Sequence, residues 1–276
     1  TAPFGPAPLP HPSRMVQRRM IPPFKKVNIL GVNVDVASVD RAAEHLVNSA
    51  KEHTRGYVCV TSVHGIVEAQ ENQQFRDILN DATMVTSDGV PLVWFGRIKG
   101  HADMQRVYGP DLMLDIMKRT QDGALTHFFY GGNKGVAEEL KTSMETRFPG
   151  VVVCGTYCPP FRPLTDDEAS ELIAQVDTLK PDFFWVGLST PKQEAFMSAY
   201  SERLATRIML GVGAAFDFHS GHLQQAPAIL QKAGLEWAYR LYKEPKRLWR
   251  RYLKNNPIFI WGVFRQLTGL KRYPPS

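Results

Sequence analysis

Cysteine is scarce in this chain. Three in 276 residues (Cys59, Cys154 and Cys158) are too few and too scattered for a disulfide scaffold or a four-ligand zinc site. Long apolar runs are missing as well: the longest, from Pro257 to Phe264, is far short of a membrane-crossing helix. No G-x-G-x-x-G precedes a suitable helix and no G-x-x-x-x-G-K-[ST] occurs, so Rossmann dinucleotide binding and P-loop hydrolysis lack support. Asp-x-Asp, a common carboxylate pair for a divalent ion on a nucleotide diphosphate, is absent too. The N-terminal arm lacks both acids and the apolar core of a secretory signal.

What remains is an ordinary soluble composition, 43% hydrophobic and 22% charged, which excludes collagen-like, coiled-coil and wholly disordered classes and suits a reducing cytoplasm. The net charge of +6 is unevenly placed: residues 1–26 carry +5 and residues 230–276 carry +9, leaving −8 on the body between. Two basic ends on a mildly acidic body point to a polyanion or an anionic membrane met at the ends.

Residues 1–25 read as a flexible Pro-rich basic arm, with Met15 or Met20 as candidate natural starts. From Lys26 to about residue 220, short apolar runs alternate with helical stretches. Strands are expected at Val27–Val34, Tyr57–Thr61, Met84–Ser87, His127–Tyr130, Val151–Cys154, Asp182–Gly187 and Ile208–Gly213. Helices are expected at Val39–Glu52, Ile66–Leu79, Asp111–Thr120, Gly135–Phe148, Asp166–Leu179 and Pro191–Leu204. Runs such as Phe183-Phe184-Trp185-Val186 are apolar on both faces, as in parallel strands covered on each side. The expected fold class is α/β: a doubly wound, mostly parallel sheet with helices on both faces. Residues 221–276 form a helical basic appendage, with breaks expected at Pro245 and Pro257.

Open α/β sheets bind ligands at the carboxyl ends of their strands. Thr86-Ser87-Asp88-Gly89, Tyr130-Gly131-Gly132, the stretch from Gly187 to Glu194 and the stretch from Gly211 to Asp217 lie at such ends. Glycine there lets backbone approach a ligand, and a helix N-terminus offers N–H groups to phosphate. Asp88 reads either as a general base or as the cap of a helix beginning at Pro91. Arg106 is a phosphate clamp or a solvated charge. Gln193 binds a sugar or base, or is a plain first-turn residue. Asp217, between Phe216 and Phe218, needs a partner if buried. His64, His219 and His222 lack the cluster that metal ligation requires, so metal-free chemistry is expected. Arg247, Arg250, Arg251 and Lys254 recur at helical spacing beside Leu248, Trp249, Tyr252 and Leu253. That pattern fits a helix lying on an anionic membrane, with nucleic acid or a plain charged face as rivals.

Several strings then fall in order. They are Thr86-Ser87-Asp88-Gly89-Val90-Pro91-Leu92-Val93-Trp94, Arg106-Val107-Tyr108-Gly109-Pro110-Asp111, Gly187-Leu188-Ser189-Thr190-Pro191-Lys192-Gln193-Glu194, Gly211-Val212-Gly213-Ala214-Ala215-Phe216-Asp217-Phe218, Gly234-Leu235-Glu236-Trp237 and the basic run from Arg240 to Tyr252. Together, across roughly residues 27–255, the chain resembles the bacterial WecG/TagA/CpsF glycosyltransferases. The resemblance implies an inverting, metal-independent transferase needing no cofactor. It would move a sugar of N-acetylmannosamine or glucose type from a UDP-sugar to a polyprenyl-diphosphate-linked saccharide, peripherally on the inner face of the cytoplasmic membrane.

It further implies Asp88 as general base, Arg106 and Gln193 beside it, and Arg240, Arg247 and Arg250 approaching the diphosphate and the membrane. Tyr130, Gly131, Gly132, Gly187 and Asp217 line the substrate side. Where many members carry Thr-x-Asn, this chain has Val60 and Ser62. Thr61, Ser62 and His64 are the residues left to make those contacts, and the departure points to a different sugar. A homo-oligomer is allowed; nucleic acid is not needed. The alternative function is a non-catalytic nucleotide- or nucleic-acid-binding protein with a basic tail.

Overall fold

The computed structural model describes residues 24–232 and 234–275, apart from the side chains of Ala228, Lys232 and Arg247. Most of the N-terminal arm therefore lies outside the described residues. The chain opens with β1 (Lys26–Ile29) and β2 (Val32–Asp35), then α1 (Val39–Lys51), β3 (Gly56–Thr61), α2 (Val63–Glu71), α3 (Gln73–Asp81), β4 (Met84–Ser87), α4 (Val90–Ile98) and α5 (Gly109–Arg119). It continues with β5 (Thr126–Gly131), α6 (Val136–Arg147), β6 (Val152–Tyr157), α7 (Asp166–Leu179), β7 (Phe183–Gly187), α8 (Lys192–Tyr200), β8 (Ile208–Gly211) and α9 (Ala215–His219). It closes with α10 (Ala228–Lys232), α11 (Glu236–Lys243) and α12 (Pro245–Leu267).

Six strands form one parallel sheet in the order β4-β3-β8-β7-β5-β6. Helices α1, α5, α6 and α9 cover one face, while α2, α3, α7 and α8 cover the other. The sheet is doubly wound, as the two-sided apolar strands imply: Phe183, Phe184, Trp185 and Val186 are all fully buried, alternating between the two cores. Successive connections from β5 to β6 and from β7 to β8 run in opposite directions, so the switch point lies between β5 and β7.

Three expectations need correction. Val27–Val34 is not one strand but an antiparallel hairpin, because Leu30 and Gly31 both take positive φ (50° and 87°) and turn the chain. The hairpin stands outside the main sheet, where the Asp35 carboxylate accepts the Val85 N–H of edge strand β4 at 2.8 Å. Ile66–Leu79 is split at Asn72, whose side chain accepts from the Phe75 N–H and starts a new helix. Pro257 does not break the tail: α12 runs through it. The proline and Leu253, four residues earlier, are exposed, so the carbonyl deprived of its partner faces water.

The appendage is built into the core rather than hung from it. Along α12, Asn255, Phe259, Gly262 and Gln266 face inward. Phe259 joins the core, Gly262 admits the Leu30 side chain, and Gln266 exchanges hydrogen bonds with Leu30 N–H and the Asn28 carbonyl at 3.0 Å each. Ending the chain after residue 230 would therefore uncover Leu30 as well as remove the basic helices.

Candidate active site

The parallel ladder places Asp88. One residue past β4, its N–H donates to the Thr61 carbonyl at 2.8 Å, extending the β3–β4 pairing to the sheet's carboxyl rim. Helix α4 is capped by Gly89, so Asp88 is not its cap residue, and the carboxylate turns to Arg106 instead. The loop bearing Arg106 is strapped along β4: Val107 N–H donates to the Ser87 carbonyl at 2.8 Å, and Ser87 Oγ donates to the Gln105 carbonyl at 2.9 Å.

Arg106 is no solvated surface charge. Its Nε donates to the Asp88 carbonyl at 2.5 Å. Its Nη2 lies 3.4 Å from Asp88 Oδ1 and 2.8 Å from Glu236 Oε2, and its guanidinium stacks 4.0 Å over the Tyr108 ring. Glu236, the first residue of α11, is buried, and its Oε1 accepts from the Tyr108 hydroxyl at 2.7 Å. One turn on, Arg240 lies 5.7 Å over the ring of Phe218, which in turn faces Tyr108. A cavity of about 340 Å³ opens beside them, lined by Phe218, His222, Tyr239, Arg240 and Lys243.

This setting alters the acids. Burial, above all, pushes the Asp88 carboxyl up to about 6, with Arg106 and Arg240 pulling down and Glu236 pushing up. Burial likewise raises Asp111 on α5, against the pull of Arg106. A carboxyl poised there is mostly ionised at neutral pH and able to take a proton from a hydroxyl.

A second group of buried polar side chains gathers at the start of α8. Gln193 and Glu194 open α8 fully buried, with Gln193 Nε2 donating to Glu194 Oε1 at 3.1 Å and the Thr190 hydroxyl donating to the same oxygen at 2.9 Å. Gln193 Oε1, Glu194 Oε2 and Thr61 Oγ1 are buried without hydrogen-bond partners among the described residues. Burial holds Glu194 above its usual range and drives His64 down to about 4, so the neutral His64 Nδ1 accepts from Asn255 of α12 at 2.9 Å. Ser62 caps α2 by position, without a side-chain bond to the helix.

Other predicted residues are placed differently. Tyr130 is buried in the core, stacked on Phe196 at 4.3 Å, because its parity on β5 turns it under the sheet. Gly131 and Gly187 face each other at the switch point. A Cβ on Gly131 would meet the Gly187 carbonyl oxygen at 2.6 Å, and one on Gly187 would meet the Phe216 ring at 2.5 Å. Internal packing thus explains both glycines, and Gly132 likewise abuts Val136. Asp217 is half-buried on α9. Arg250 is exposed and lies over Trp249, and the Arg247 side chain is outside the described residues. The basic face is not uniform: Arg251 turns half-buried toward His64 and Glu194, and Lys254 pairs with Glu71 at 2.6 Å. His219 and His222 contact Pro110 and Glu139 separately, and no group of three or more potential metal ligands occurs among the described residues.

Tyr108, Glu194, Glu236 and Asn255 were not singled out by residue-level reasoning. Glu236 and Tyr108 stood only inside longer strings, where nothing local marks a contact across 128 positions.

The chain is 26% identical over 249 residues to an N-acetylglucosaminyldiphosphoundecaprenol N-acetyl-beta-D-mannosaminyltransferase of Staphylococcus aureus, covering 90% of this chain and 95% of that one. It is 30% identical over 222 residues to a protein of the same name from Bacillus spizizenii, covering 80% and 84%. The model of the glycosyl transferase WecG/TagA/CpsF family matches residues 27–273. The chain belongs to the WecG/TagA/CpsF family of glycosyltransferases.

Proposed function

We propose that this protein is an inverting transferase that moves a sugar of N-acetylmannosamine type from a UDP-sugar to a polyprenyl-diphosphate-linked saccharide. The observation that carries the reading is Asp88 held at the strand rim beside Arg106 and Arg240, in the family whose relatives bear the names above. In this reading Asp88 takes the proton of the acceptor hydroxyl as its oxygen bonds to the anomeric carbon. The bond from that carbon to the diphosphate oxygen breaks, and its electron pair leaves with UDP. Arg106 and Arg240 neutralise the departing charge, as donors fixed in place before the reaction. In this reading Gln193 and Thr61, whose buried oxygens have no hydrogen-bond partner among the described residues, accept from sugar or base hydroxyls and amides. Incubation with a panel of UDP-sugars and a short-chain polyprenyl-diphosphate saccharide tests the reading. The product's anomeric configuration, opposite to the donor's, supports it; retention overturns it.

In the same reading cationic side chains do the work of a metal. Excess EDTA is expected to leave the rate of UDP release unchanged. A rate that falls with EDTA and returns with a divalent ion would contradict this.

The acceptor is a lipid, and α12 offers a face to lipid. No helix among the described residues is long and apolar enough to cross a membrane. Yet Leu253, Ile260, Trp261, Phe264 and Leu267 are exposed together on the side of α12 facing away from the core, and Lys246 and Arg250 lie exposed on the preceding turns. Such a helix lies in the plane of an anionic bilayer, with tryptophan at the interface. The double substitution Trp261→Ser and Phe264→Ser is expected to weaken sedimentation with anionic vesicles at least about tenfold, since each buried aromatic contributes about 2 kcal/mol. Release of UDP with a water-soluble acceptor analogue is expected to be unaffected.

A further inference from the structure

Resting on the reading of Asp88 and Arg106 above, we propose that Glu236 is a positioning residue that seats the appendage onto the chemistry by anchoring Arg106. The geometry is specific. Arg106 has three donor corners. Nε is taken by the Asp88 carbonyl, and Nη2 donates to Asp88 Oδ1 at 3.4 Å while forming an ion pair with Glu236 Oε2 at 2.8 Å, an oxygen that itself accepts no hydrogen bond among the described residues; Nη1 makes no hydrogen bond among the described residues. Two corners tied down leave the third to a ligand oxygen. The other Glu236 oxygen accepts from Tyr108, whose ring supports the guanidinium from below, so one carboxylate fixes both the edge and the face of Arg106. With its side chain 10% exposed, Glu236 is too well enclosed to be an incidental surface pair.

Glu236 comes from α11, whereas Asp88, Arg106 and Tyr108 come from the α/β core. The anchor therefore forms only when α11 is seated, and it carries the appendage's position to the reacting centre. Longer-range charge acts in a separable way. The charged and titratable groups facing Asp88 are Arg106 and Tyr108 from the loop, Glu236 and Arg240 from α11, and Tyr252 from α12; Asp111 of α5 faces Arg106 and Glu236. Among them Glu236 pushes the Asp88 carboxyl up and the two arginines pull it down.

Glu236→Gln keeps the volume and an acceptor for Tyr108 but removes the charge. Charge alone, made more positive, would draw the UDP diphosphate in and lower the donor KM. Loss of the anchor instead costs kcat, because a misaimed donor fails where charge develops. The expected result is kcat down about tenfold to a hundredfold, donor KM unchanged or lower, and the acid limb of the kcat/KM profile, which reports the free enzyme, moved below about 6. Glu236→Asp, which keeps the charge but cannot span both partners, is expected to restore the limb without restoring kcat. Wild-type kcat and limb in Glu236→Gln overturn the proposal. Should that variant not fold, wild-type kcat in Glu236→Asp overturns it equally. Asp88→Asn runs alongside: full activity there removes the reading on which the proposal rests, whereas an inactive Asp88→Asn with an unaffected Glu236→Gln removes the Glu236 proposal alone.

Discussion

Asp88→Asn is expected to lower kcat about a thousandfold, within the range a general base contributes, while donor KM changes little. The same substitution is expected to raise the melting temperature at pH 8. The physical reason is linkage. The folded Asp88 carboxyl titrates at about 6, above its unfolded value of 3.8, so the native state holds that proton more tightly. Ionisation above pH 6 therefore costs the fold about 1–3 kcal/mol, a cost relieved as pH falls through 6 toward 4. Asparagine never ionises. The stability gained by Asp88→Asn is largest at pH 8, shrinks near pH 5 and is small near pH 4, where the folded carboxyl is protonated and the unfolded one is close to its own value of 3.8. Thermal melts at those three pH values measure it. An Asp88→Asn protein that is both inactive and less stable at pH 8 would point to a structural role for the carboxylate. The wild-type kcat/KM profile, which reports the free enzyme, should carry an acid limb near 6 from the same group.

Arg106→Met has the second largest expected effect, and it tests the opposite sign. Arg106 is the strongest charge pulling the Asp88 carboxyl down, and it separates Asp88 from Glu236. Without it two carboxylates share an enclosed space with Arg240 as the remaining cation acting on Asp88 among the described residues. The acid limb is expected to move above 6, and kcat to fall about a hundredfold to a thousandfold through loss of a fixed donor to the leaving diphosphate. Stability is expected to drop by about 3 kcal/mol at neutral pH, because breaking an enclosed pair strands its partner. That loss should lessen in acid as both carboxyls take up protons. A pH profile and a melt on one preparation check both parts. An acid limb unmoved from wild type would show that Arg106 does not face Asp88 in solution.

The sheet was largely legible because its strands are apolar on both faces. Met84–Ser87 and Asp166–Leu179 were read to their ends, the latter with a Thr165–Glu168 capping box. The hairpin was not, since Leu30-Gly31 lacks the Asn-Gly or Asp-Gly signal and Leu30 takes a positive φ while packed on Gly262, 232 positions away. Tyr130 was misplaced for a related reason: in Phe128-Phe129-Tyr130, parity says that alternate residues share a face but not which face meets the site. The glycines at the switch point were visible, but not Phe216, whose ring fills the space above Gly187. Asp88 and Arg106 could be picked out from their strings, although Asp88's capping alternative fell only when the cap proved to be Gly89. Glu236 and Asn255 could not be assigned from any local pattern, because each acquires its meaning from a core residue more than a hundred positions earlier.

If the carboxylate at the end of β4 drives sugar transfer in a site that α11 completes, UDP release in detergent will show it: a panel of UDP-sugars, with and without a polyprenyl-diphosphate-linked N-acetylglucosamine acceptor, for wild type and Asp88→Asn side by side. The predicted result is release from UDP-N-acetylmannosamine that requires the acceptor and is lost in Asp88→Asn. Equal release by the two proteins, or release indifferent to the acceptor, would contradict it.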